Sequence, residues 1–434
     1  MRLRELKLRN FRNYQEQSFK PGETLNVLVG MNAQGKSNLL EAVYLLATTR
    51  SLRAMRESEM IRQGAETASV WADAARERDA DVELDLAVFA SDKKSVRING
   101  VKRTRVLELL GQLNAVYFGA LDLAIVAGDP SVRRRYLNIE ISQISPKYVF
   151  DLGNYKKALE QRNRLLRDLR DRPNRNSGIE AWNEQLIQYG TPLFQKRRFF
   201  LGRLAPLADE IHRGLTNGQE RLTIRYIPSI TLPEEDSAIA RGFHAELEKA
   251  AAEETRRGVT LVGPQRDDIQ FIIEACSRDS TGADDSASSG TFEGLDARSF
   301  GSLGQQRTVV LSLKLAQFRL MEEYIGETPI LLLDDVMSDL DDSRRTHLLR
   351  WIDRSCQSFV TCTTLSSFPD FVLSKAAIFK VDAGVIAPQV LDQPGTVEPI
   401  APKPIKTNGH KPSDLAHKRK PAAAAKPAAV SKRK

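Results

Sequence analysis

The residues with the clearest chemical meaning lie in the stretch GMNAQGKS, whose glycines, lysine and serine have the spacing GxxxxGKS. The glycines allow backbone N–H groups to surround a phosphate chain, and the N-terminus of a following helix adds further donors. We expect Lys36 to reach the β- and γ-phosphates and Ser37 to bind Mg²⁺. The stretch predicts a nucleoside triphosphate site formed by Gly30, Met31, Asn32, Ala33, Gln34, Gly35, Lys36 and Ser37.

Two consecutive carboxylates, Asp334 and Asp335, follow an apolar run at residues 330–333. Such a run is typical of a buried parallel strand, and α/β proteins bind their ligands at the carboxyl ends of these strands. We predict that Asp334 holds Mg²⁺ together with Ser37 and that Asp335 orients or deprotonates the attacking water. A purely structural role for Asp335 remains the alternative.

A third segment, FGSLGQQR at residues 300–307, precedes an apolar run with helical spacing. A serine and a glycine at a helix start form another anion site, because a hydroxyl and free N–H groups converge there. The position of the segment before the acidic strand matches the signature motif of ABC ATPases. We predict that Ser302 and Gly304 bind nucleotide and that Ser302 and Gln305 contribute to catalysis. Residues 339–341 fit the D-loop of the same superclass.

The elements that must position these residues can be predicted from apolar spacing. Residues 25–29 indicate a short strand before the glycine-rich loop, and residues 36–46 indicate a helix after it. Residues 1–14 alternate basic and apolar side chains, which favours an opening strand over a signal peptide. Residues 147–257 are charged and favour helix, with an apolar repeat too short for a long coiled coil.

These elements predict an α/β fold, an ABC-ATPase head with two lobes and a short inserted helical arm. The expected divisions are an ATPase lobe at 1–146, the arm at 147–257, a second ATPase lobe at 258–396 and a disordered basic tail at 397–434. Residues 276–291 are rich in Ser, Gly and Asp and predict a flexible surface loop.

The composition is that of a globular protein, with 41% hydrophobic and 28% charged residues. The chain has no apolar run long enough to span a bilayer, so we expect a soluble, cytoplasmic protein without membrane contact. The net charge of +8 is concentrated after residue 400, where ten Lys or Arg accompany one acid. This tail could add nonspecific phosphate affinity or serve only as a solubilising appendage. The spacing of Cys276, Cys356 and Cys362 favours reduced thiols over a disulfide framework or a zinc site.

Several separate segments together resemble the RecF family, in the branch of ABC ATPases that serves chromosome maintenance and DNA repair. The long interval between Ser37 and Asp334 argues against a transporter subunit, and the lack of an NKxD motif argues against a GTPase. The segments that carry the resemblance are LRNFRNY at 8–14, TRSLR at 49–53, GDPSVRRR at 128–135, GPQRDD at 263–268, the signature at 301–307 and LDDVMSDLD at 333–341.

The sequence departs from this family in three places. Gln265 stands where the family usually has His, and Leu303 replaces a more usual Gln. Residues 359–363 lack the His that many ABC ATPases use as a switch. The last departure suggests slow hydrolysis.

The resemblance implies that ATP with Mg²⁺ is sandwiched in a homodimer, where the signature of one subunit caps the γ-phosphate bound by the other. It also implies binding to single-stranded DNA and single/double-strand junctions, partnership with RecR and RecO, roles in recombination, replication and the SOS response, and weak DNA-dependent ATP hydrolysis. The basic residues that we expect to touch DNA phosphates are Lys156, Lys157, Arg162 and Arg164.

Two other functions stay open from the sequence. One is a structural DNA clamp that binds ATP and scarcely hydrolyses it. The other is a phosphotransferase with a small-molecule substrate, which the signature segment and the D-loop disfavour.

Overall fold

A computed structural model describes residues 1–171, 178–276, 294–338, 340–352 and 356–389. The predicted basic tail lies outside the described residues, as does the predicted surface loop apart from Cys276. The described residues belong to one compact unit, Met1–Gly395. The division into lobes and arm at 146/147 and 257/258 therefore stays a proposal.

Fifteen strands and nine α-helices are found among the described residues. The strands are β1 (Arg2–Phe11), β2 (Tyr14–Phe19), β3 (Leu25–Val29), β4 (Thr67–Ala75), β5 (Val82–Phe89), β6 (Lys94–Ile98), β7 (Val101–Lys102), β8 (Ala115–Gly119), β9 (Glu220–Ile227), β10 (Asp268–Ala275), β11 (Leu295–Asp296), β12 (Ile330–Asp334), β13 (Ser358–Cys362), β14 (Ala377–Asp382) and β15 (Val385–Pro388). The helices are α1 (Lys36–Thr48), α2 (Leu123–Ala127), α3 (Pro130–Ile144), α4 (Pro146–Asp171), α5 (Ile179–Leu215), α6 (Ile239–Arg257), α7 (Leu303–Ile325), α8 (Asp342–Ile352) and α9 (Asp370–Leu373).

The central sheet has the strand order β15-β14-β3-β13-β12-β8, with β14, β3, β13, β12 and β8 parallel. Its strands are apolar on both faces because a separate hydrophobic core covers each face. Leu333 and Val360 belong to the core formed with α5 and α7, whereas Leu332 and Phe359 belong to the core formed with α1 and the N-terminal strands. The predicted buried parallel strand before Asp334 is confirmed.

A second, antiparallel sheet has the order β2-β1-β4-β5-β6-β7 and is built from the N-terminal part of the chain. In β1 and β4, buried residues alternate with more exposed ones, as expected for strands with one face on a core. The predicted opening strand is thus confirmed as β1. The helix α1 shares the core of this sheet, so the sheet supports the helix that begins at the predicted phosphate loop.

Residues 147–257 are not wholly helical, in contrast to the prediction. They contain α5, which is 37 residues long, but also β9, which pairs antiparallel with β10 along its whole length. The sequence of β9, ERLTIRYI, alternates apolar and polar residues and includes β-branched and aromatic side chains, which favour strand. This strand ties the predicted arm directly to the chain beyond residue 257.

Two further predictions concern general features of the chain. All three cysteines are free thiols, with Cys356 and Cys362 buried and Cys276 half-buried. Within the described ranges, every helix is too short or too polar to cross a membrane.

Candidate nucleotide site

The glycine-rich loop connects β3 to α1, as the sequence predicted. A Cβ atom on Gly30 would lie 2.3 Å from the carbonyl oxygen of Val381, so that position requires glycine. Gly35 has a φ of 118°, in the left-handed region that L-residues rarely adopt. Both glycines are therefore needed for the backbone shape of the loop.

Lys36 lies inside this loop at the first position of α1. Its Nζ donates hydrogen bonds to the carbonyl oxygens of Gly30 (2.6 Å) and Met31 (2.9 Å). Burial lowers the pKa of Lys36, and the nearby charge of Asp335 acts in the opposite direction. Two carbonyl oxygens of the loop therefore hold the ammonium group of Lys36 between β3 and α1.

Asp334 ends β12 and faces the first turn of α1. The Ser37 hydroxyl donates to Oδ1 of Asp334 at 2.8 Å, which joins two residues 297 positions apart. Thr361 on the neighbouring strand donates to the same oxygen at 2.8 Å, and the phenol of Tyr117 donates to Oδ2 at 3.1 Å. Burial raises the pKa of Tyr117, so the phenol remains a donor. The carboxylate is held by three hydroxyl groups.

The oxygen atoms of Ser37 and Asp334 fit the preference of Mg²⁺ for hard oxygen ligands. Mg²⁺ in triphosphate sites commonly has only one or two protein ligands, because waters and phosphate oxygens fill the rest of its octahedral shell. Within the described ranges, the side chains form no cluster of three or more His, Cys, Asp or Glu that could hold a metal ion alone. The residues present therefore suit a magnesium ion shared with phosphates.

Asp335 is exposed at the end of β12 and has a φ of 55°. A non-glycine residue in this conformation costs of order 1–3 kcal/mol and requires support from its surroundings. Its backbone N–H donates to Thr361 Oγ1 at 2.9 Å, and the Ser338 hydroxyl donates to its carbonyl oxygen at 2.8 Å. Thr361 thus fixes both acidic residues, a function that the sequence analysis missed.

The opening segment 8–14 supports the phosphate loop from outside. Asn13 donates from Nδ2 to the carbonyl oxygen of Gln34 at 2.8 Å, and the Tyr14 hydroxyl donates to that of Gly35 at 2.9 Å. Asn38 in α1 donates to Asn13 Oδ1 at 2.8 Å. The resemblance singled out this segment, but only the structure shows that it braces the loop.

Glu41, in the middle of α1, is fully buried and joins the same support. Arg12 binds it with two hydrogen bonds of 2.9 and 2.7 Å, Ser51 donates to it at 2.5 Å, and Arg53 lies 3.4 Å from it. Although burial acts to raise it, the pKa of Glu41 is lowered by hydrogen bonds from Arg12 and Ser51. The segment 49–53 is thereby attached to the helix of the phosphate loop.

The signature segment forms the start of α7. Ser302 is the N-cap, and its hydroxyl accepts from the Gln305 backbone N–H at 3.2 Å while Gln305 Oε1 accepts from the Ser302 N–H at 2.9 Å. This reciprocal pair is a capping box, and it explains why helix begins here. Ser302, Leu303 and Gly304 are exposed, and Phe300 before them is 72% exposed.

Gln305 also contacts the end of α5 through Glu220. Its Nε2 donates to Glu220 Oε1 at 2.8 Å, and the other oxygen of Glu220 lies 3.2 Å from His212 Nε2. His212 is buried, and its Nδ1 is 3.1 Å from the hydroxyl of Ser312 in α7. The signature glutamine is therefore linked to the long helix of residues 147–257, which the sequence did not reveal.

The predicted site residues fall into two groups. Lys36, Ser37, Asp334 and Asp335 are brought together by the parallel sheet. In the part of the chain that the structure describes, no hydrogen bond joins Ser302, Gly304 or Gln305 to the loop 30–37. Of the predicted D-loop, Asp339 lies outside the described residues, Leu340 is buried, and Asp341 accepts from the Arg344 backbone N–H at 2.9 Å.

One of the predicted DNA contacts is wrong. Arg162 is 1% exposed and forms an ion pair with the buried Glu254 at 2.7 Å. A hydrogen bond of 2.9 Å to Thr260 also occupies it, so phosphates cannot reach it. Lys156, Lys157 and Arg164 are exposed.

The fold and this site define a class of proteins. The chain belongs to the family described as the RecF/RecN/SMC N-terminal domain, which matches residues 2–385. The Smc head domain of Pyrococcus furiosus has a TM-score of 0.51 at 16% identity, covers 90% of this chain and 96% of its own, and shows the fold alone.

Closer relatives define the family more narrowly. The DNA replication and repair protein RecF of Shouchella clausii is 41% identical over 389 residues, which are 89% of this chain and 99% of the relative. RecF of Staphylococcus aureus strain JH9 is 37% identical over 390 residues, 89% of this chain and 100% of the relative. The structure of the recombination mediator RecF with ATP in the RecFOR pathway has a TM-score of 0.79 at 32% identity, covering 90% and 98% of the two chains. This chain belongs to the RecF family.

Proposed function

We propose that this protein binds ATP with Mg²⁺, dimerises around the nucleotide and binds DNA in recombinational repair and replication. The observation that carries the proposal is the contact of 2.8 Å between Ser37 and Asp334, which unites the phosphate loop with the acidic strand. The names of the RecF relatives support the setting in DNA replication and repair.

The proposal assigns a role to the backbone of the loop and to four side chains. The backbone N–H groups of residues 30–37 surround the phosphates, and Lys36 binds the β- and γ-phosphates. Ser37 and Asp334 hold Mg²⁺, which neutralises developing charge on the phosphates. Asp335 is exposed at the strand end, where it orients or deprotonates the attacking water.

The dimer completes the site with residues from a second copy. Ser302, Gly304 and Gln305 would contact the γ-phosphate bound by the partner, since a capped helix start offers N–H donors and a hydroxyl to an anion. The exposed apolar side chains Phe300 and Leu303 lie on either side of Ser302, as expected of a surface that meets a partner. ATP then stabilises the dimer by mass action.

Hydrolysis is proposed to be weak and stimulated by DNA. The strand β13 places Thr361 beside the acidic pair and carries no histidine. The DNA is proposed to be single-stranded or to contain a single/double-strand junction, with RecR and RecO as partners, in a cytoplasmic protein that also serves the SOS response.

Light scattering of the wild type and of Lys36→Met, with and without ATP, Mg²⁺ and gapped DNA, tests this function. We expect dimers of the wild type only with ATP and no dimers of the variant, because it lacks the phosphate-binding cation. A wild type that remains monomeric under every condition would contradict the proposal.

A structural DNA clamp with negligible hydrolysis is the second candidate. It is favoured by the position of Thr361, which holds both acidic residues without offering a group that could exchange a proton with water near neutral pH. Asp335→Asn that leaves DNA binding and dimerisation intact, together with undetectable hydrolysis by the wild type, would support the clamp. Measurable hydrolysis lost in the variant would exclude it.

A further inference from the structure

Three of the segments that carry the family resemblance meet at a cleft of about 690 Å³. Residues of 49–53, 128–135 and 263–268 line it, together with part of α4. The cleft lies beside Thr48–Ser51, at the end of α1 opposite the phosphate loop. A helix of 13 residues, at ~1.5 Å per residue, separates the two ends by about 20 Å. The cleft is therefore distinct from the nucleotide site.

The side chains of the cleft have a strong charge bias. Its basic side chains above the floor are Arg50, Arg134, Arg135 and Lys156. The acid in its lining is Glu57, whose carboxylate is paired with Lys94 Nζ at 2.6 Å. Neither Arg50 nor Lys156 forms an ion pair with any residue that the structure describes. The cleft thus has an excess of positive charge.

Two acidic residues near the cleft, Asp267 and Asp268, are each paired with a buried arginine. Asp267 is fully buried and accepts a hydrogen bond of 2.6 Å from the buried Arg197 in the floor. Asp268 accepts two hydrogen bonds, of 2.5 and 3.0 Å, from the buried Arg133. These carboxylates are neutralised where they lie, so they leave the charge of the outer basic side chains uncompensated.

Two arginines of the cleft, Arg134 and Arg135, are held by backbone carbonyl oxygens and not by carboxylates. Arg134 donates to the carbonyl oxygen of Asp267 at 2.8 Å, and Arg135 donates to that of Ser51 at 3.1 Å. The walls of the cleft partly desolvate the ammonium group of Lys156 and lower its pKa, and repulsion from Arg50 and Arg197 acts in the same direction. An anion bound here would relieve that repulsion, as phosphates do in basic grooves.

We propose that this cleft binds the phosphate backbone of a single DNA strand. The inference rests on the proposed function, because it names the surface through which that DNA is held. The rim carries two exposed apolar side chains, Met55 at 89% and Leu107 at 44%. The faces of unpaired bases can contact such side chains, whereas bases stacked inside a duplex cannot.

The test is the salt dependence of binding to a fluorescent oligo-dT, measured by anisotropy for the wild type and for Arg50→Gln/Lys156→Gln. Each phosphate contact to a single strand contributes about 0.7 to the slope of log K against log salt. Loss of two contacts should lower the slope by about 1.4. The charge-conserving variant Arg50→Lys, with Lys156 unchanged, should keep the wild-type slope.

The matched control is Arg56→Gln/Lys93→Gln, which removes the same charge from two exposed residues that do not line the cleft. We expect this control to keep most of the wild-type slope. Thermal unfolding and binding of a fluorescent ATP analogue should be unchanged in both double variants, since the altered side chains are exposed and lie far from the phosphate loop.

The outcomes separate the cleft from the proposed function. Equal slopes for the cleft variant and the wild type would overturn the cleft as the DNA site while DNA binding itself stands. If the cleft variant loses binding to a blunt duplex but binds oligo-dT as the wild type does, a single strand is not the occupant of the cleft. A wild type that binds no DNA would contradict the proposed function as well.

Discussion

The two ends of the proposed ATP site are built differently. At the phosphate loop, Ser37, Asp334 and Thr361 are joined by hydrogen bonds within one copy of the chain. At the signature, Ser302 and Gly304 are exposed, and the hydrogen bonds of Gln305 connect it to its own helix cap and to Glu220. In one copy, the phosphate-loop half is therefore fully assembled, whereas the signature half faces outward. This division is expected of a site that is completed by dimerisation.

Asp335→Asn should break the phosphate-loop half at its chemical step alone. General acid–base groups contribute about 10²–10⁴-fold to rate, so ATP hydrolysis should fall by that factor. ATP-dependent dimerisation should persist, since binding does not use this carboxylate. Single-turnover hydrolysis and light scattering measure the two effects, and an unchanged hydrolysis rate would assign Asp335 a structural role.

A change of pH should loosen the support of the signature helix without altering the phosphate loop. Glu140 is buried between α3 and α7, accepts hydrogen bonds from Gln143 and Gln317, and lies 3.8 Å from Lys314. Burial raises its pKa to about 7. The folded state therefore holds this proton more tightly than the unfolded state, whose pKa is about 4.5, and stability falls as pH rises between these values.

Glu140→Gln should abolish this loss, which amounts to about 3 kcal/mol in the free energy of unfolding between pH 4.5 and 7. Urea unfolding at both pH values measures the difference between variant and wild type. The exposed Glu160→Gln is the control and should track the wild type. A constant difference for Glu140→Gln would show that this carboxyl does not titrate there.

Thr361→Val should weaken the binding of the proposed Mg²⁺ at the phosphate-loop half. The residue donates to Asp334 and accepts from the Asp335 backbone, and outer partners of this kind are worth about 10–100-fold in metal affinity or activity. The Mg²⁺ concentration for half-maximal ATP binding should rise by a factor in that range. Thr361→Ser keeps the hydroxyl and should need the same Mg²⁺ concentration as the wild type. If the serine variant also needs more Mg²⁺, the effect comes from packing of the threonine methyl group.

Glu220→Ala should affect the signature half alone. It removes the acceptor of Gln305 Nε2 and the partner of His212, and a polar group left without its partner costs about 1–3 kcal/mol. ATP-dependent dimerisation should weaken about tenfold, which corresponds to 1.4 kcal/mol, while ATP binding by the monomer is unchanged. Glu220→Gln retains an acceptor for Gln305 and should dimerise more strongly than the alanine variant.

The parts of the site that the sequence predicted are those set by local pattern. The glycine spacing before Lys36 and the apolar run before Asp334 indicate the local backbone conformation from neighbouring residues alone. The strands and the helix around them were therefore correctly predicted. Thr361 and Tyr117 were missed because their contacts depend on the register between parallel strands, Asp334 opposite Thr361 and Gly119. Strand register is a property of the folded sheet that one chain's sequence does not display.

The helical part was predicted less well because its pattern is weak. Three of the eight residues of β9, Glu220, Arg221 and Arg225, are charged and obscure its two-residue alternation. The error at Arg162 has the same origin, since a basic side chain on a charged helix cannot be assigned to the solvent or to the core without its partner, here Glu254. The links of Gln305 to Glu220 likewise join distant segments.

A mixing experiment tests the division between the two halves most directly. Lys36→Met removes the phosphate-binding cation of the loop, and Ser302→Arg blocks the signature. Neither variant alone can therefore form a complete site in a homodimer. A heterodimer of the two contains one intact loop facing one intact signature. Light scattering with ATP and Mg²⁺ should therefore find monomers for each variant alone and dimers for the equimolar mixture. A mixture that stays monomeric, while the wild type dimerises, would contradict a site shared between two copies.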